Sequence, residues 1–252
     1  MNARRLSAIS YGHLAIDILN SSVVIILTDA TQQYNLPYSK IGLGSLLYTL
    51  AASLTQPLFG LLADRWRGRW LAAAGLLWTM VFYAVASFTQ SFTALVVVLT
   101  IGALGSGAFH PAGIVNSSHA GGDRPATATS WFFLLGQSGL AIGPFVSGIV
   151  LQRMGLAGLP YIALAMTPAV ILMFWALRDP MEDEDHETTG NAVRASTGAA
   201  TAGLVTIFLL VVILRSTTLQ SYMTLLPSYF ADQGFTSAAY GLMVSVFIFA
   251  GA

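Results

Sequence analysis

Residues 60–70 read GLLADRWRGRW and place one aspartate and three arginines between two apolar runs. The runs cover Ile41–Ala63 and Trp70–Phe88. Each is about twenty residues long, the length a helix needs to cross the hydrocarbon core of a bilayer. A short charged stretch between two such runs reads as a tight turn at a membrane surface. The chain therefore crosses and returns.

The rest of the sequence repeats this pattern. It has 252 residues, 55% of them hydrophobic and only 9% charged. A soluble domain carries roughly 25% charged residues, so this composition cannot clothe a soluble surface of ordinary polarity. Spans are expected near Leu6–Thr28, Ile41–Ala63, Trp70–Phe88, Phe92–Ser118, Thr127–Leu151, Leu159–Leu177 and Leu204–Phe230. An eighth begins near Ala238 and reaches Ala252 after about fifteen residues, or roughly 22 Å of helix. It is expected to be cut short. The fold class is all-α, a polytopic integral-membrane helical bundle.

Positive charge in the short loops sets the orientation. With the N-terminus inside, Arg4, Arg5, Arg65, Arg67, Arg69, Arg124, Arg178 and Arg194 are all cytoplasmic. Only Lys40 and Arg153 then fall outside, and Arg215 lies within a span. Trp70 and Trp175 sit near span ends, where amphipathic rings prefer the interface. The start, MNARRLSAIS, resembles the n-region of a signal peptide. No small-residue cleavage site follows it, so it is read as part of the first retained span. Formal charges balance and no basic tract points to nucleic acid. There is no cysteine, which excludes disulfides and thiolate chemistry.

The stretch from Arg178, RDPMEDEDHETTGNAVRASTG, is polar and acidic. It reads as a cytoplasmic linker over 179–203, between a six-helix half at 1–178 and the start of a second half at 204–252. Its acidic run is expected to be a solvated linker rather than a cation site. A weak repeat supports two halves: QYNLPYSKIGLGS at 33–45 resembles QGFTSAAYGLMVS at 233–245. A spacing of about 200 residues predicts a complete protein of roughly 400.

Polar residues inside the spans are the candidates for function. YGHLAIDILNSS, residues 11–22, sets His13 and Asp17 four apart on one helix face, and Asn20 extends that face. A charged group in the bilayer costs at least about 2.5–3.5 kcal/mol, so it faces protein or water and is usually kept for function. His110, Gln137 and Arg215 are further candidates in the fourth, fifth and seventh spans. A structural pairing of Asp17 with His13 is the competing reading, as is helix packing for the histidines and Arg215. Two histidines and a carboxylate raise zinc, but no helical His-x-x-x-His pair or cysteine accompanies them. No metal is expected.

The loop Gly60-x-x-x-Asp64-Arg65-x-x-Gly68-Arg69 closely resembles the signature of the major facilitator superfamily, with one extra residue between Arg65 and the next glycine. The resemblance implies that Gly60, Asp64, Arg65 and Arg69 latch the two halves in the outward-open state. In the fifth span, GQSGLAIGPFVSG resembles the antiporter motif of that superfamily, through Gly139, Gly143, Pro144 and Gly148. Ser147 stands where the motif usually has a further glycine. GHLAID in the first span and FHP in the fourth resemble the fosmidomycin-resistance-like branch. The usual basic motif of the fourth helix is absent.

What the resemblance implies is a secondary transporter that rocks between inward- and outward-open states. Its first, fourth and seventh helices line a central cavity, which makes His13, Asp17, Asn20, His110, Gln137 and Arg215 candidates for the translocation path. The leading expectation is proton-coupled drug efflux by an antiporter in the cell inner membrane. Its partners are then the lipid bilayer, a small organic substrate and protons. No cofactor is expected beyond the proton gradient as energy source, and the working unit the resemblance implies is a monomer. The alternative is an importer of a small organic anion with Arg215 as counter-ion. From other classes come a membrane enzyme, for which no nucleophile–base pair is visible, and a non-transporting sensor.

Overall fold

The computed structural model describes residues 1–65, 70–178 and 199–251, and among these described residues there are nine α-helices and one short 3-10 turn, Gly155–Gly158. The α-helices are α1 (Ala3–Gln33), α2 (Ser39–Arg65), α3 (Leu71–Ala86), α4 (Phe92–Gly121), α5 (Pro125–Met154), α6 (Leu159–Ala165), α7 (Thr167–Ala176), α8 (Ala199–Asp232) and α9 (Ser237–Gly251). Among the described residues there is no strand. Helices α1, α2, α4 and α8 and the stretch from α5 to α7 are each long and apolar enough to cross a membrane. The acidic linker expected over 179–203 lies outside the described residues as far as 198, and α8 begins at Ala199.

Local chemistry sets the helix ends. The Asn2 side chain caps α1 by accepting the Arg5 N–H at 3.0 Å. Ser91 does the same for α4 with the Ala94 N–H. Each cap satisfies one of the donors a helix start leaves free. Helix α5 starts on Pro125, whose missing N–H costs nothing in a first turn. It ends where Gly155 takes a positive φ of 58°.

The span expected to run unbroken from Leu159 to Leu177 is instead two helices, α6 and α7, joined at Met166. Pro168 is the cause. It has no N–H to donate to the preceding turn, and its ring crowds the carbonyl four residues back. The Met166 N–H tightens onto Ala163 at 3.0 Å, and α7 restarts with proline in its first turn.

Helix α1 runs through the middle of the bundle. Ile9, Ile16, Leu19, Ile25 and Ile26 are fully buried. It packs most extensively on α5 and also meets α4, α7, α2 and α3. By contrast α8 shows Leu204, Ile207, Phe208 and Leu214 outward, and α2 shows Leu54, Leu58 and Leu61.

The two turns of the sequence repeat share one hydrogen-bond pattern. At the end of α1 the Leu36 N–H bonds Thr31 O at 3.0 Å around Asn35, with φ 50°. At the end of α8 the Phe235 N–H bonds Phe230 O at 3.1 Å around Gly234, with φ 83°. Both are left-handed helix caps, a position open to glycine and tolerated by asparagine.

Candidate functional site

Three helices converge on Asp17. Its own helix α1 supplies His13 one turn before and Asn20 one turn after, as the i, i+4 and i+7 spacing requires. The His13 Nε2 lies 3.1 Å from Asp17 Oδ2. Helix α4 crosses α1 at this level and brings the His110 Nε2 to 3.4 Å from Asp17 Oδ1. Asn20 Nδ2 donates to the same Oδ1 at 2.8 Å and to Ser106 Oγ of α4 at 3.0 Å. From α2, the Tyr48 hydroxyl donates to Asn20 Oδ1 at 2.7 Å. The carboxylate is thus held by a chain of polar groups running through α1, α2 and α4.

The outer nitrogens of both imidazoles are anchored on backbone. His13 Nδ1 meets Phe132 O of α5 at 2.8 Å, and His110 Nδ1 meets Ser106 O at 2.8 Å. A carbonyl oxygen only accepts, so each Nδ1 carries the hydrogen. Each Nε2 is thereby turned toward Asp17. His13 is 3% exposed and Asp17 5%. The side chain of His110 keeps 22% exposure and is the open side of the cluster.

The fifth-helix motif builds the floor beneath it. At Gly139 a side chain would strike the Leu14 carbonyl and press on Asp17 Cβ, and at Gly143 it would strike Ser21 and the Ile18 carbonyl. Their bare backbone lets α5 lie against α1. Ser22 Oγ donates across the contact to Gly143 O at 3.1 Å. The far end of the motif faces α9. Gly148 abuts the Ser237 carbonyl, Gly241 abuts the Pro144 carbonyl, and the Phe145 N–H donates to Ser245 Oγ at 3.0 Å. One helix therefore joins the polar cluster to the start of the second repeat.

Of the residues singled out in the sequence, His13, Asp17, Asn20 and His110 come together. Gln137 and Arg215 do not: both are exposed, Gln137 on α5 and Arg215 on α8, with no bond to the cluster. Gly60 sits in α2 near Pro111, with space for a methyl group. Asp64 and Arg65 close α2, and Arg69 lies outside the described residues. The sequence reading missed Tyr48, Ser106 and the Phe132 carbonyl. Ser106 was findable, since it stands four residues before His110 on the same helix face. A backbone carbonyl leaves no mark in a sequence.

Beyond this site, α1 meets α8 and α9 at its C-terminal end. Tyr240 OH donates to Asp29 Oδ1 at 3.4 Å, and Gln32 Nε2 donates to Asp232 Oδ1 at 3.2 Å.

The family model described as Major Facilitator Superfamily matches residues 9–252. The chain is 27% identical over 168 residues to the fosmidomycin resistance protein of Escherichia coli (strain K12), covering 67% of this chain and 41% of that protein. It is 26% identical over 164 residues to the uncharacterized MFS-type transporter YfnC of Bacillus subtilis (strain 168), covering 65% of this chain and 40% of that one. A second Bacillus subtilis protein, the uncharacterized MFS-type transporter YwoD, is 26% identical over 170 residues, with 67% and 37% covered. The matched stretch is thus less than half the length of each of these relatives.

Proposed function

The chain belongs to the Major Facilitator Superfamily, and on that premise we propose that it forms part of a secondary active transporter that exports small organic compounds in exchange for protons. The observation that carries this reading is the Asp17 carboxylate, buried between the imidazoles of His13 and His110 where α1, α4 and α5 meet. A buried anion in a membrane demands a cation partner. In this cluster the nearest ionisable partners are imidazoles, which exist in neutral and protonated forms, and among the described residues no arginine stands beside the carboxylate. A site that takes and releases a proton as the cavity changes sides couples transport to the proton gradient.

The direction of transport rests on the α5 motif and on the relative named for fosmidomycin resistance. The repeat of helix-capping turns supports two halves, with Gly60, Asp64, Arg65 and Arg69 as the latch between them. The distribution of arginine supports an N-terminus in the cytoplasm, and the Escherichia coli relative supports a bacterial inner-membrane location. The working unit in this reading is a monomer, with Gln137 and Arg215 on the substrate path in another conformation.

The test uses inverted membrane vesicles with an imposed pH gradient. Fosmidomycin and a panel of organic compounds are added, and collapse of the gradient is followed. Compound-dependent collapse with the native protein, lost in Asp17→Asn, is expected. Collapse that survives the substitution removes Asp17 from coupling. No response to any compound removes proton-coupled export.

A further inference from the structure

We propose that His13, Asp17 and His110 form a binding site for one divalent transition-metal ion of the zinc, cobalt or nickel type. The inference goes beyond the transport reading: the ion is a second occupant of the same three side chains and displaces the shared proton when it binds.

Both Nδ1 atoms spend their hydrogens on the carbonyls of Phe132 and Ser106. In the neutral imidazoles, each Nε2 then offers a lone pair to an Asp17 oxygen, across 3.1 Å and 3.4 Å. A lone pair facing a carboxylate oxygen is repulsive. Each gap therefore needs a shared hydrogen, or both need one cation between them. A divalent ion brings the charge of two protons to the same place.

The geometry suits a metal. One donor atom from each of the three residues lies within 4.8 Å of the others. Zinc bonds of about 2.0–2.2 Å in a tetrahedron set ligand atoms roughly 3.3 Å apart. The two nitrogen–oxygen separations are of that length, each to a different oxygen of Asp17, so the carboxylate presents one oxygen to each imidazole. The outer shell is also in place. Imidazoles that ligate metal donate their other N–H to a backbone carbonyl or a carboxylate, which fixes ring and tautomer. Both histidines do so here, on carbonyls from two different helices. Asn20 likewise holds the carboxylate from outside.

Two imidazoles and one carboxylate favour borderline ions over magnesium or calcium, which prefer oxygen. Three protein ligands leave a fourth position open, on the exposed side of His110. The sequence argued against metal because no single helix carries a histidine pair at i and i+4. The fold supplies the second imidazole from α4.

The experiment adds Co²⁺ alone to the purified protein in detergent. His119→Gln and His186→Gln are introduced first, which removes the other two histidines of the sequence. Intense visible absorption of tetrahedral cobalt, saturating at one ion per chain, is expected. Asp17→Asn and His110→Gln each abolish it, Zn²⁺ bleaches it, and excess Mg²⁺ does not. Absence of the bands, or bands undiminished in the Asp17→Asn/His110→Gln pair, overturns the proposal. Should those variants not fold, X-ray absorption at the zinc edge of the Zn²⁺-loaded parent decides it. Scattering from two imidazoles is expected, and none overturns the site. Transport read in vesicles is a separate result: gradient collapse without cobalt bands sinks the metal site and leaves the transporter reading standing.

Discussion

The ring of His13 stacks on the ring of Phe132 with centroids 3.9 Å apart, while its Nδ1 meets the carbonyl of that same residue at 2.8 Å. Phe132 thus fixes both the plane and the tautomer of the imidazole. One turn further along α5, Gly136 leaves the space the ring occupies, and a side chain there would overlap the imidazole itself. Overfilling a packed interior costs typically about 1–3 kcal/mol. Gly136→Ala is expected to lower the melting temperature in detergent and to weaken transport. Adding His13→Ala is expected to recover the stability but not the transport. An unchanged melting temperature in Gly136→Ala would show that the slot is looser than its geometry.

The glycines of the chain are not equivalent. At Gly139 and Gly143 a methyl group meets the backbone carbonyls of Leu14 and Ile18, which cannot swing aside. At Gly60 the nearest atom is Pro111 Cβ at 3.8 Å, an ordinary contact. Gly139→Ala and Gly143→Ala should therefore give little monodisperse protein, whereas Gly60→Ala should purify and melt like the parent. If Gly60 belongs to a latch, its variant loses transport with stability intact. Equal yields from all three would refute the close-packing argument.

Tyr48 and Asn20 act as one unit. The hydroxyl donates to Asn20 Oδ1, and the Asn20 amide donates onward to Asp17 and Ser106. Loss of a typical hydrogen bond costs about 1 kcal/mol. Tyr48→Phe is expected to destabilise by that order, and the double variant with Asn20→Ala by clearly less than the sum of the singles, as partners in one network do. Strict additivity in thermal or chemical unfolding would show that the two residues are independent.

Much of the fold was legible because membrane crossing imposes a length and a polarity that composition alone displays. Within a single helix the site was legible too: His13, Asp17 and Asn20 follow from helical spacing. What joins helices was harder to read. The pairing of His110 with Asp17 needs the crossing of α4 over α1, which two short motifs only suggest. The carbonyls of Phe132 and Ser106 that orient the imidazoles belong to backbone, and every residue has one. The break at Met166 was missed because hydropathy continues through it, although Pro168 carried the signal. Counting residues along the first and seventh spans puts Arg215 at the depth of Asp17. Depth does not fix the rotation of a helix, and Arg215 stands exposed on α8 with no bond to the cluster.

The last expectation concerns motion. Gln32 of α1 and Asp232 of α8 are hydrogen-bonded at 3.2 Å, close to the Asp29–Tyr240 contact of α1 with α9. All four residues lie at one end of the bundle, the end where α5 also packs on α9 through Gly148. A transporter that alternates access must open each end in turn, so this end has to part during the cycle. These 252 residues hold no cysteine, so introduced thiols have no competitors among them. Gln32→Cys and Asp232→Cys, joined by a short cleavable bifunctional reagent, are expected to stop transport in vesicles. Cleavage of the reagent is expected to restore it, and each single cysteine variant is expected to transport normally with or without reagent. Undiminished transport in quantitatively joined protein would mean that α1 and α8 move together at this end, and that the cavity opens elsewhere.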